Sequence, residues 1–148
     1  MKLEDIMTTR VVTLEMDDTL EVVKEIFENT RFHHLPITED GKLRGIISDR
    51  DFARHISPFI STLSERTQDV NTLKKKVHQI MSRDIITASK ETTIPEAAQI
   101  LLKTNVSCLP VVSDEGTLEG IVTMRDLLRA LLKDHLETLK ECKGGFMT

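Results

Sequence analysis

Two hydroxyl-carboxylate pairs stand at the same spacing in this chain: Ser48 with Asp51 in GIISDRDFARHI, and Thr123 with Asp126 in GIVTMRDLLRAL. Each pair encloses an arginine, Arg50 or Arg125. Where an apolar run gives way to helical spacing, such a pair forms a capping box: the hydroxyl accepts a free backbone N–H and the carboxylate reaches back. Capping needs nothing more. The same geometry also suits an anion, because a helix N-terminus presents unpaired N–H groups and a partial positive charge, and a hydroxyl and an arginine complete a cradle for phosphate. A carboxylate there repels phosphate, so in a binding role it must hold something else. A ribose diol, with two hydroxyl donors close to its phosphate, fits an acceptor-only carboxylate. Gly45 and Gly120, just upstream, would let a ligand approach the backbone, although strand glycines also mark bulges.

Other reactive residues carry less. His33 and His34 are adjacent on a predicted strand and point to opposite faces, so they do not share a metal ion. Cys108, at the position equivalent to His34, lies in an apolar run and reads as a buried thiol. No metal site is expected. No nucleophile stands beside a base, and the two carboxylates belong to different halves of the chain, so no catalytic residue is assigned and the chain is not expected to be an enzyme.

The elements that must position these pairs are written twice. At an offset of 74, Ile6, Met7, Thr13 and Thr19 fall on Ile80, Met81, Thr87 and Thr93, and Ile26, Thr30, Leu35 and Pro36 fall on Ile100, Thr104, Leu109 and Pro110. One extra residue near Glu115 moves the offset to 75, and then Gly41, Leu43, Gly45, Ile46, Arg50, Asp51 and Arg54 fall on Gly116, Leu118, Gly120, Ile121, Arg125, Asp126 and Arg129. Two copies of one supersecondary unit follow. In each copy a short extended piece, VVTL (11–14) or IIT (85–87), precedes a helix marked by Leu20, Val23, Ile26 and Phe27 or by Ile94, Ala97, Leu101 and Leu102. HLPI and CLPVV then read as strands, EDGK and DEGT as turns, and LRGIIS and LEGIVT as return strands, each running into a closing helix. The order is β-α-β-β-α, twice, an α/β (α+β) fold.

In this order the doubled motifs, IM, the VT or IT strand, HLP or CLP, DG or EG, then G-I-I-S-x-R-D or G-I-V-T-x-R-D, closely resemble a tandem pair of CBS domains from Ile6 to about Leu132. The SDRD form and the long linker are similar to stand-alone CBS proteins of the acetoin-utilization type. The resemblance implies two repeats packed through their sheets and two clefts for adenosine-containing ligands that are bound and not consumed. It implies ribose held by Asp51 and Asp126, phosphate by Ser48 and Thr123, and added charge from Arg50 and Arg125. Thr13 and Thr87, with the backbone near His34, Leu35 and Pro36 and near Cys108, Leu109 and Pro110, would line the base pockets. The ligand it implies is AMP, ADP or ATP, with S-adenosylmethionine or NAD as secondary choices and no catalytic cofactor. The function expected is regulatory sensing; the alternative is a structural adaptor or dimerisation protein whose junctions only cap helices, with an enzyme third.

Size and composition agree with this. At 148 residues and 39% hydrophobic content the chain can bury a core, and a net charge of -4 gives no general attraction to nucleic acid or anionic lipid. No apolar run reaches the roughly 20 residues of a membrane span, and two cysteines make no disulfide framework, so a cytoplasmic protein is expected. The divisions expected are repeat 1 (1–56), a linker (57–79), repeat 2 (80–134) and a tail (135–148). In the linker Val70, Leu73, Val77 and Ile80 share a helical face with Asp69 as N-cap, and Lys74, Lys75 and Lys76 lie on the solvated faces. Leu128, Leu131, Leu132, Leu136 and Leu139 stripe the last helix, which suits a homodimer. Without an output domain in the sequence, the signal is expected to pass to a protein target in trans.

Overall fold

In the computed structural model, which describes residues 1–56 and 72–147 and side chains of the last helix as far as Leu139, the β-α-β-β-α order is complete in the first repeat and recurs in the second with its first strand reduced to a bridge. The chain forms two compact units, 12–85 with 116–118, and 1–11 with 86–115 and 119–148.

The first unit holds β1 (Leu14–Glu15), α1 (Leu20–Asn29), β2 (His34–Glu39), β3 (Lys42–Ser48) and α2 (Asp49–His55). Its sheet runs β1-β2-β3, with β1 parallel and β3 antiparallel to β2. Asp40 and Gly41 both take positive φ (53° and 78°), the backbone a two-residue hairpin of matching twist requires, and Glu39 pairs with Lys42 across it. A register shift between Ile37 and Thr38 leaves Arg44 as the extra residue, next to Gly45. The inward residues Leu14, Leu20, Val23, Leu35, Ile37, Ile47 and Phe52 make the core, and Phe27 tilts against Phe52 at 5.8 Å.

The second unit repeats the plan with α3 (Ile94–Thr104), β4 (Cys108–Val112), β5 (Leu118–Thr123) and α4 (Met124–Met147). The parallel strand is reduced to a bridge between Ala88 and Val111, the counterpart of Leu14 with Ile37. Regular pairing thus begins at the last residue of VVTL and just after IIT. Thr93 Oγ1 caps α3 by accepting the Glu96 N–H (3.3 Å), and Asn105 ends it in the left-handed region. Leu102 is 78% exposed, against its expected place in the apolar stripe. It lies about 100° round the helix from Leu101, on the side away from Ile100, which packs on the core instead.

Residues 1–11 complete the second unit in the way 75–82 complete the first. Leu3 N–H donates to Thr92 O (2.9 Å) as Val77 N–H donates to Asp18 O (2.8 Å). Thr8 and Ile121 exchange two backbone bonds, both 3.0 Å, as Ser82 and Ile46 do at 2.9 and 3.0 Å. Leu3 and Val77 are both fully buried in the cores they enter. The helix expected over 69–80 is not continuous: Thr72–Lys74 and Val77–Gln79 are short 3-10 turns, while Asp69 and Val70 lie outside the described residues. Lys75 and Lys76 instead pair in extended form with Leu20 and Thr19, with Lys74, Lys75 and Lys76 exposed as expected.

Both strand glycines serve this crossing. A Cβ on Gly45 would collide with Met81 Sδ and stand 2.6 Å from its Cγ; one on Gly120 would meet Met7 Sδ at 2.8 Å and the Thr8 carbonyl oxygen at 2.9 Å. The space expected for a ligand at these glycines is filled by methionine. Gly45→Ala and Gly120→Ala should each lower stability by about 1–3 kcal/mol in urea denaturation. Gly120→Ala should cost more, since a backbone oxygen must move, and Met81→Ala should recover part of the loss in Gly45→Ala only.

Candidate functional site

Both junctions form where a return strand ends and a helix begins. In the first, Ser48 takes extended backbone and its Oγ accepts the Asp51 N–H at 3.1 Å. In the second, Thr123 Oγ1 accepts the Asp126 N–H at 3.2 Å, and Asp126 Oδ2 accepts the Thr123 N–H at 3.0 Å, a closed capping box. Asp51 instead has its Oδ1 3.8 Å from Arg54 Nη1, as Asp126 Oδ1 is from Arg129 Nη1. Both distances exceed a hydrogen bond, so each pair keeps a carboxylate oxygen with acceptor capacity to spare. Arg50 and Arg125 are exposed beside their caps.

The residues expected around the bases divide by burial. Leu35, Pro36, Leu109 and Pro110 are buried, and the Pro110 carbonyl already accepts the Ala88 N–H (3.0 Å). The leucines belong to the cores. Thr13 and Thr87 are exposed just before the parallel pairing. Cys108 is buried, and desolvation pushes its thiol up to about 12, so it is no nucleophile at neutral pH. His34 is half-buried; burial lowers it below 6.5, with His33 adding to the shift and Asp49 and Asp51 opposing it. Among the described residues no cluster of three or more His, Cys, Asp or Glu side chains is placed to hold a metal ion.

One pair was not foreseen from sequence. His33 Nδ1 lies 2.8 Å from Asp49 Oδ2, and the Asp49 N–H donates to the His33 carbonyl at 2.9 Å. The second junction has the matching backbone bond, from Met124 N–H to Ser107 O at 2.8 Å. Burial alone would raise the Asp49 carboxyl; the hydrogen bond and charge of His33 and the Arg50 backbone N–H outweigh it and leave it below 3.8. The first turn of α2 therefore carries a fixed carboxylate that already takes an N–H donor, where the first turn of α4 carries a thioether side chain. The only sequence signal for this pair was the register that sets residue 33 beside the start of α2.

These paired repeats are characteristic. The CBS domain model matches residues 3–58 and 77–133. The chain belongs to the CBS-domain family. It is 36% identical to an uncharacterized protein of Methanocaldococcus jannaschii, over 89% of this chain and 92% of that one. In structure it is similar to a Vibrio cholerae protein described as an acetoin utilization protein (TM-score 0.75, 28% identity, 95% of this chain and 96% of that one). It also resembles Arabidopsis thaliana CBSX2 in complex with AMP (TM-score 0.76, 27% identity, 90% and 98%). A third match is the CBS domain pair of protein MJ0100 in complex with 5'-methylthioadenosine and S-adenosyl-L-methionine (TM-score 0.73, 28%, 90% and 98%). No helix among the described residues is long and apolar enough to cross a membrane.

Asp49 fixes a pH dependence. Its folded pKa lies below its unfolded one, so its contribution is present above about pH 3.8 and is lost as pH falls through the folded value. Asp49→Asn should cost at most about 1 kcal/mol, because the pair is exposed. In urea denaturation from about pH 5.5 downward, the gap to the unsubstituted protein should close below that window. A gap that stays constant there would assign the loss to packing instead.

Proposed function

We propose that this CBS pair is a regulatory sensor that binds an adenine nucleotide at each S/T-x-x-D junction without consuming it. The observation that carries this is the doubled junction itself: a capping hydroxyl at 3.1 or 3.2 Å from a backbone N–H, beside a carboxylate with acceptor capacity left over. Asp51 and Asp126 take the ribose hydroxyls; Ser48 and Thr123, with Arg50 and Arg125, take the phosphate. Thr13 and Thr87 border the bases, with backbone from His34 to Pro36 and from Cys108 to Pro110. The complexes of similar pairs with AMP and with S-adenosyl-L-methionine support an adenosyl ligand; AMP, ADP or ATP is the first choice. The protein works in the cytosol and signals to a protein target in trans.

The closed box at Thr123 and Asp126 favours a second reading, an adaptor in which the junctions only cap helices. Calorimetry with AMP and ATP separates the two. Asp51→Ala or Asp126→Ala should each weaken binding at its own site by about 10- to 150-fold, the value of a charge-assisted hydrogen bond. The second site should prefer ATP over AMP more strongly than the first, since Asp49 repels added phosphate charge and Met124 does not. Asp49→Met should narrow that difference. Unchanged binding in both alanine variants would refute the ribose assignment, and no binding of any adenine nucleotide would leave the adaptor.

The assembly proposed is a homodimer through α4. Leu128, Leu131, Leu132, Leu136 and Leu139 are 41–61% exposed along one stripe of a 24-residue helix. Sedimentation at tens of micromolar should give twice the 16.8 kDa of the chain. Leu132→Glu with Leu136→Glu should return it to monomer; a monomeric parent protein would rule the dimer out.

A further inference from the structure

In the second unit a cavity of about 360 Å³ opens between the 3-10 turn Leu3–Asp5 and α4. Asp126, Arg129, Ala130 and Lys133 enter it from successive turns of one face of α4, and Asp5 and Ile6 from the opposite wall, with Met1 at the rim. Its charges are two carboxylates and two cations, but they are not equally engaged. Asp5 Oδ2 accepts the Lys2 N–H at 2.8 Å, and Asp126 Oδ2 accepts the Thr123 N–H at 3.0 Å. Arg129 lies 3.8 Å from Asp126, beyond hydrogen bonding, and Lys133 has no ion-pair partner among the described residues. The N–H donors of Arg129 and Lys133 are therefore available in the cavity beside the spare oxygens of Asp5 and Asp126, set against the apolar surfaces of Ile6, Ala130 and Met1.

The geometry points to a binding site for a small carboxylate with a short aliphatic body, adjoining the proposed second nucleotide site, with which it shares Asp126 as a border. A planar carboxylate matches the guanidinium fork of Arg129, and Lys133 adds a second donor. A monoanion suits the site better than a dianion, because Asp5 and Asp126 border it and repel each further negative charge. The aliphatic body removes the apolar wall from water. The site is written only into the second repeat. At the matching positions the first repeat has Lys75, Gln79, Ile80, Asp51 and Arg54, but Pro58 where Lys133 stands. Gln79 does the capping work of Asp5, accepting the Lys76 N–H at 3.0 Å.

Thermal shift and calorimetry on the full chain with acetate, isobutyrate, isovalerate and inorganic phosphate test this. Stabilisation should rise from acetate to isovalerate, and phosphate should bind more weakly than isovalerate. Arg129→Gln with Lys133→Gln, both exposed, should weaken isovalerate by about tenfold or more while AMP binding at the Asp51 junction stays as in the parent protein. No stabilisation by any carboxylate at tens of millimolar would overturn the proposal. So would equal isovalerate binding in the double variant, or phosphate binding that is tighter than isovalerate and is lost in the double variant.

Discussion

The close approach of a methionine to a strand glycine holds this architecture together. Met81 lies on Gly45 and Met7 on Gly120, and in each case the missing Cβ lets a leading segment lie against the return strand. From that contact the neighbouring bonds follow in the same order in both units: the paired bonds to Ile46 or Ile121, then the 3-10 turn, then the buried Val77 or Leu3. The return strand so fixed delivers its last residue, Ser48 or Thr123, to the start of a helix. The candidate junctions thus inherit their position from a packing contact a few residues upstream.

At the junctions themselves, helix capping and the proposed binding draw on the same atoms. A hydroxyl that caps a helix has only part of its acceptor capacity left, and a carboxylate that closes a box has one oxygen committed. The repeats settle this differently. In the first, the second helical acid stays out of the box while Asp49 is bound to His33 and to a backbone N–H at the head of α2. In the second, Asp126 closes the box and no acid occupies the position of Asp49. Two copies of one motif have become electrostatically unlike sites through two substitutions, at residues 33 and 49, relative to Ser107 and Met124.

Much of this was legible in the sequence because it is local. Helical spacing located α1 and α3, the Asp40-Gly41 turn located the first hairpin, and LEGIVT is β5 residue for residue. What stayed hidden was non-local. An internal repeat looks the same whether its leading IM segment packs on its own copy or on the other, so periodicity could not assign Leu3 to the second core. For the same reason the glycines read as room for a ligand, since the methionines that fill that room are distant in sequence. Val77 and Leu73 are buried as their spacing suggested, but extended pairing of Lys75 and Lys76 with α1's approach breaks the helix that the spacing implied. Leu102 shows the opposite limit, an apolar residue just off the stripe that the fold leaves in water.

The chain order of the second unit has a kinetic meaning. Residues 12–85 supply nearly all of the first unit as one continuous stretch, whereas the second needs residues 1–11 together with the last half of the chain. During synthesis Leu3 and Met7 emerge well before the strand and helix that bury them. Thr8 cannot pair with Ile121 until almost everything between them has been made. The second unit is in effect a circular permutant of the first, and closing it spans the longest loop in the molecule, so its folding has the higher contact order and the slower route. Until then an apolar leading segment is left uncovered, and that interval, rather than the finished fold, is where this protein is most exposed to misassociation.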